Sequence, residues 1–270
     1  MTRLITDDNW SGVKREAGVL PRYLAYGSSA AICQGLLPVS EQPDLLVPPE
    51  QWKERIDEAN AHRMFPIHRF EDAKVQPKHQ SGFRYCWSFS LASVLEDVGL
   101  AQNLGYRRLS GTGLGHLVNW KNEGYWLTDA LEGAKRFGIP GSESAPDDVR
   151  NPRHFQPGWQ QDALRCRPLK WFDTIGVDRR RADEEEQVHQ CVSLLLPGKP
   201  GYAALNWWGH AVMYAGLMWD TAAAYNLRWV IWNSHGDGRM ELTGSHGVPD
   251  EFYSPSVITH DVVTPSNAES

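Results

Sequence analysis

Residues 80–96 read QSGFRYCWSFSLASVLE, a glutamine and a Gly-containing turn leading into an apolar run that opens at a cysteine. The spacing of Phe89, Ala92, Val94, Leu95 and Val98 predicts an amphipathic helix over 88–100 that ends near Gly99 and has no internal proline. Cys86 stands immediately before that helix, so its sulfur faces unpaired backbone N–H groups and the positive end of the helix dipole. A thiolate is stabilised there, and the thiolate is the nucleophilic form of cysteine. Position alone does not make a catalyst, because a lone cysteine is commonly a small buried hydrophobe. A partner base is required.

Two downstream segments supply candidates. His210 lies in YAALNWWGHAVMYAG, after a glycine and at the start of an apolar run, and Asn233 lies in WVIWNSHGDG, at the end of another. Strands are predicted over 202–206, 211–217 and 228–233. If the last two are neighbours, imidazole and carboxamide meet across them, and the histidine faces a cysteine on the opposite lobe. Helices are also predicted over 128–137 and 183–195, the second with its acids Asp183 to Glu186 in a solvated first turn, where the dipole favours them. Helices early and strands late argue for an α+β chain with segregated lobes.

The whole chain fits that picture. Its 270 residues, 41% hydrophobic and 22% charged with a net charge of −6, exclude wholesale disorder and a coiled-coil rod and allow one large domain or two lobes. The acidic balance lacks the basic footprint of a nucleic-acid binder. The opening MTRLITDDNW carries acids where a secretory signal needs a basic and then an apolar stretch, and no run approaches the ~18 apolar residues of a membrane span. The expected setting is therefore cytoplasmic, or inside an assembled particle. Cys33, Cys86, Cys166 and Cys191 are scattered with no CxxC pair, so neither a zinc knuckle nor a disulfide framework is expected, and no metal or cofactor is assigned. The 12 tryptophans exceed ordinary usage and suggest packed lobes or a lined cleft.

Composition divides the chain into an N-terminal arm over 1–62, a body over 63–253 and a polar tail over 254–270. The arm is punctuated by Pro21, Pro38, Pro43, Pro48 and Pro49, and only 50–61, EQWKERIDEANA, reads as helical. His62, His68, His79, His116, His154, His189, His246 and His260 show no ligand spacing and are assigned to the surface, as is the turn Arg179 to Arg181.

The combined pattern resembles the papain-like cysteine peptidases. VQPKHQSGFRYCWSF, 75–89, is similar to that family's entry into its catalytic helix: Val-x-Pro, then Gln six residues before Cys, then Trp directly after it. HAV from His210 and NSHG from Asn233 resemble its histidine strand and its Asn-Ser-Trp-Gly. Leu109-Ser110 and NEGYWLTDALEGAKRFGI, 122–139, resemble its Leu-Ser segment, its Gly-Gly-Tyr substrate wall and the helix that follows. His210 and Asn233 come about 124 and about 147 residues after Cys86, near the roughly 130–150 of cathepsin-type enzymes.

The resemblance, over about residues 65–245, implies a papain-like two-lobed α+β fold, a helical lobe and a β-barrel-like lobe with the active-site cleft between them. It implies an endopeptidase acting on protein or peptide substrates, with Cys86 as nucleophile, His210 as base and acid, and Asn233 orienting the imidazole. Gln80 and the Cys86 N–H would form the oxyanion hole, and Gly124, Trp87, Gly209 and His235 would line the substrate site, Gly124 as backbone partner of an extended peptide. The sequence departs from the family pattern at five places, one of them Arg84-Tyr85 where the family has Gly-Ser. Phe83 replaces a disulfide cysteine, leaving Phe83 and Tyr85 to hold the loop by packing. Gly209 precedes the histidine where Asp or Asn is usual, His235 replaces the Trp that shields the Asn–His bond, and Glu123 replaces the first wall glycine. The arm is read as a docking or assembly arm, with a propeptide-like role beside it. The alternative function is a structural or binding component of a larger assembly, such as a viral particle, built on the same fold.

Overall fold

The computed structural model describes residues 2–14, 18–19, 46–80, 84–121, 123–174 and 184–259. Phe83, Asn122, Arg179 to Arg181, Asp183, His260 and residues 1, 15–17 and 20–45 of the arm lie outside them.

The organising element is the helix α3, Cys86–Ala101, in which every residue from Cys86 to Gly99 is buried. The sequence reading of an amphipathic helix is corrected here: protein surrounds this helix on all sides, so its serines and acids must be satisfied internally. Ser88 Oγ donates to the carbonyl of Gly111, and Asp97 receives the fork of Arg69 at 2.8 and 2.6 Å. Five shorter helices precede or follow it: α1, Trp52–Ala61; α2, Pro66–Asp72; α4, Gly111–Leu117; α5, Leu127–Phe137; and α6, Trp159–Ala163. The last, α7, spans Glu184–Leu195 and carries Glu184, Glu185 and Glu186 in its first turn.

The other lobe is built on one seven-stranded sheet. Its strands are β1, Arg3–Ile5; β2, Arg167–Asp173; β3, Gly201–Leu205; β4, His210–Trp219; β5, Leu227–Asn233; β6, Gly238–Thr243; and β7, Glu251–Thr259, in the order β1-β6-β5-β4-β3-β7-β2. Only β1 runs parallel to its neighbour; the other pairs are antiparallel. The three predicted strands are present, and β4 and β5 are neighbours, with Met213 opposite Trp232. Four strands were not predicted. β7 crosses the boundary drawn at residue 254: Tyr253, Ser254, Pro255 and Val257 pair with β2, so polar composition there marks a half-exposed strand at least as far as Thr259.

The arm also enters the body. Trp52, Ile56 and Ala59 of α1 are buried, Trp52 Nε1 donates to the Val47 carbonyl at 2.8 Å, and Asn60 Nδ2 donates to the Leu217 carbonyl of β4 at 3.0 Å. His68, assigned to the surface, is buried on α2, and His189 reaches the Val47 carbonyl at 2.7 Å. Among the described residues no helix is long and apolar enough to cross a membrane.

Candidate active site

Cys86 occupies the first position of α3, which starts two residues before the predicted 88, with Tyr85 as N-cap. The N–H groups of Ser88 and Phe89 bond back to the Tyr85 carbonyl at 2.9 and 3.0 Å. Those of Cys86 and Trp87 belong to the helix end whose donors have no intrahelical acceptor. Packing fixes this end: Tyr85 is buried with its ring 4.0 Å from that of Trp120, and a side chain at Gly115 would collide with it. Trp87 is fully buried, its ring 4.5 Å from Tyr125, and its carbonyl receives the Tyr202 hydroxyl at 2.9 Å. Trp87 is thus packed among Tyr85, Trp120 and Tyr125 beside the helix start.

His210 opens β4 and is fully buried. One ring nitrogen, Nε2, lies 2.8 Å from Asn233 Oδ1, while Nδ1 is buried with no hydrogen bond. The carboxamide's orientation is set from its other end, where Asn233 Nδ2 donates to Asp237 at 3.4 Å and contacts Met240 sulfur at 3.2 Å. Its oxygen also accepts the Ser234 N–H at 2.8 Å. A neutral imidazole donating from Nε2 presents Nδ1 as an acceptor, the state able to take a thiol proton. Two rings lie against it: Trp208, 4.5 Å away and tilted by 42°, and His235, stacked at 4.7 Å and 20°. Burial, and then the charge of His235, press its pKa down to about 3, against the opposing bond to Asn233.

Gln80 is buried beside these strands. Its N–H donates to the Ser234 carbonyl at 2.9 Å and its Oε1 accepts the Ser234 hydroxyl at 2.8 Å, which turns the amide's NH2 away from Ser234. Two residues earlier, Lys78 is buried against Glu96 of α3, with Nζ 2.5 Å from Oε1 and 2.8 Å from the Leu109 carbonyl. The Leu109 N–H donates to the same carboxylate oxygen at 2.6 Å. This network binds the loop before the cysteine to the middle of the central helix. Sequence reasoning passed over Ser234, Asp237, Lys78 and Glu96, since none carries a motif by itself.

The largest omission is in the arm. Gly18 donates its N–H to the Gly209 carbonyl at 3.1 Å, Val19 donates to the same carbonyl at 3.3 Å, and Tyr125 donates to the Gly18 carbonyl at 3.2 Å. Val19 forms a parallel bridge with Tyr125. The arm is thus bonded to both walls, and a Cβ built on Gly18 would overlap Cys86 Sγ. Gly209, at φ +67°, holds a backbone conformation that glycine favours and that turns its carbonyl to this segment. Gly124 is buried, and the wall's bond to the segment comes from the next residue, Tyr125. Upstream, Trp10 stacks on His246 at 4.3 Å, Asp7 meets His246 Nδ1 at 2.6 Å, and Trp208 Nε1 donates to the Lys14 carbonyl at 3.1 Å. A Gly-Val pair in a proline-rich arm has no sequence signature for this position.

The other described cysteines differ in kind. Burial raises the Cys166 thiol to about 12 and pushes Cys191 higher still, so both are inert hydrophobes. No disulfide joins Cys86, Cys166 or Cys191. Among the described residues no cluster of three or more His, Cys, Asp or Glu is placed to hold a metal ion.

Solved structures share this fold. The chain is similar to digestive procathepsin L 3 of Tenebrio molitor larval midgut, with 16% identity and a TM-score of 0.53 over 67% of this chain and 66% of that one. It is equally similar to two crystal structures of the ragweed pollen allergen Amb a 11, a cysteine protease, in its proform: 18% identity and a TM-score of 0.53 in each, over 69% and 75% of this chain and 64% and 60% of theirs. The fold is papain-like. At such identity the likeness speaks for the fold alone, and the aligned part spans about two thirds of the length of those proforms. No family model matches the chain, and no curated protein matches it by sequence.

Proposed function

We propose that this chain is a papain-like cysteine endopeptidase, held closed by its own N-terminal segment. The observation that carries the reading is the buried His210–Asn233 pair at 2.8 Å, with Gly18 bonded to the residue before that histidine and packed against Cys86 Sγ. A segment tied to both walls across a helix-terminal cysteine occupies the place an extended peptide would take, in the backbone-paired manner of strand addition.

Once that segment is displaced, His210 Nδ1 takes the thiol proton and the thiolate attacks the peptide carbonyl. The oxyanion is received by the Gln80 NH2 and the Cys86 N–H, donors of a kind worth about 3 kcal/mol each in barrier height. His210 then protonates the leaving amine, and water, activated by the same imidazole, releases the acyl group and restores the thiol. Asn233 keeps the ring in one tautomer and one plane throughout, as the third member of a Cys-His-Asn triad. This chemistry needs no metal or cofactor.

The test uses the full chain with Gly18→Leu, which cannot seat against the sulfur, treated with an epoxide thiol inhibitor and mapped by mass spectrometry. Selective labelling of Cys86, absent in Gly18→Leu/His210→Ala and with Cys166 and Cys191 unmodified, is expected. Labelling of Cys86 only after unfolding sinks the enzyme reading and favours a binding or structural role for the fold.

A further inference from the structure

We propose that His235 is a positioning residue that sets the acid limit of the Cys86–His210 pair: a proton taken up by its ring drives the proton of His210 back onto Cys86 Sγ. This rests on the peptidase reading above. The geometry is specific. The two imidazoles stack at 4.7 Å and 20°, the Trp208 ring is 4.5 Å from that of His210, and His210 is fully buried while His235 is partly buried. Backbone pairing holds the stack: His79 bridges His235, Gln80 N–H bonds the Ser234 carbonyl and Gly236 N–H bonds the Lys78 carbonyl.

Two imidazolium rings at this separation repel strongly, so protonation of one opposes protonation of the other. An indole face, by contrast, favours the cation beside it. The surrounding ionisable groups do not cancel the repulsion. On the facing segment His79 is exposed and Lys78 is committed to Glu96; on the same turn Asp237 accepts from Asn233; on α3 the group is Cys86 itself. Of the two rings His235 is the less buried, although its Nε2 is enclosed, so a second proton enters there. The balance is one proton in and none lost: thiolate, His210 imidazolium and neutral His235 become thiol, neutral His210 and charged His235. In the closed chain burial first, and then the charge of His235, hold His210 well below its ordinary pKa; the imidazolium arises only as the partner of the thiolate once the segment is displaced.

The test measures the rate of Cys86 alkylation by iodoacetamide from pH 4 to 8 in the full-length Gly18→Leu chain, alone and combined with His235→Trp, His235→Gln or His235→Arg. With Trp or Gln the fall in rate on the acid side is expected to move down by about one pH unit or more, and the permanent cation of Arg is expected to slow the reaction about tenfold across the range. An acid limb that stays in place in both the Trp and the Gln variants overturns this inference alone. A Cys86 that reacts as an ordinary thiol, rising only toward about pH 8.5 and indifferent to His210→Ala, overturns the peptidase reading with it.

Discussion

Gly18 and Cys86 are in such close apposition that a methyl group on the glycine would overlap the cysteine sulfur. The contact is kept by three backbone bonds of 3.1 to 3.3 Å, from Gly18 and Val19 to Gly209 and from Tyr125 to Gly18. Gly18→Ala overpacks this site at a cost of about 1–3 kcal/mol, all of it in the closed state. Labelling of Cys86 by a small thiol reagent should therefore accelerate roughly 5- to 150-fold, with global stability unchanged or slightly lower. An unaltered rate would show that the segment does not guard the sulfur.

Trp10 tests the same arm from its other end. Its ring stacks on His246 at 4.3 Å and meets Trp207 edge-on at 5.9 Å. Trp10→Ala removes about 2 kcal/mol of exposed-side packing and should speed labelling of Cys86 several-fold, less than Gly18→Ala does. The two effects should fall short of additive, because both report one docking equilibrium.

Asn233→Ala removes the acceptor of His210 Nε2 and leaves a buried donor unpaired, at about 1–3 kcal/mol. In a Gly18→Leu background the expected loss of peptidase rate is about 10- to 100-fold, carried mainly by kcat, since the imidazole loses orientation while the peptide walls stay intact. Asn233→Asp should retain more rate than Asn233→Ala.

The buried His210 also makes stability depend on pH. Its folded pKa, pressed to about 3, lies below the unfolded value of about 6.5. The unfolded chain then binds more protons between those limits, so this residue's contribution to stability is present above about pH 6.5 and is lost as pH falls toward 3. Urea midpoints measured at pH 7 and pH 4.5 should converge in His210→Gln relative to the parent chain. Equal slopes in the two proteins would contradict the assignment.

Lys78 and Glu96 form an ion pair almost wholly removed from water. Lys78→Met leaves the carboxylate uncompensated and should cost about 3–5 kcal/mol, while Lys78→Met/Glu96→Leu should regain part of that loss. Recovery will be incomplete, because Glu96 also accepts the Leu109 N–H. Denaturant titrations of the two single variants and the double complete the cycle.

How far the sequence reveals this site depends on how local each signal is. Cys86 at a helix start, and His210 and Asn233 on adjoining apolar strands, are readable because each sits at the end of a segment with clear periodicity, and β4 and β5 do pair. The strands β2, β6 and β7 escape because their register is fixed by partners far along the chain, not by alternation within them. The packing of Trp87 against Tyr85, Trp120 and Tyr125 was not legible, because adjacency to a cysteine says nothing of which way a helical side chain points. Gly18 was invisible for a different reason. Its significance comes from what it lacks, a side chain, at one place opposite a sulfur that is 68 positions later in the numbering.

Strand β1 adds a last consequence. Arg3, Leu4 and Ile5 pair with Met240, Glu241 and Leu242 of β6, at the margin of the sheet. Met240 is also the residue whose sulfur touches the Asn233 carboxamide. The arm that veils the thiol therefore also supplies the outermost strand of the sheet that carries His210 and Asn233. Stripping the whole arm away would expose three residues of raw strand edge, a template for self-association. A cut in the chain that frees Gly18 but leaves residues 3–14 hydrogen-bonded in place would avoid that exposure, so uncovering the nucleophile and keeping the protein monodisperse become two separable demands on one short segment.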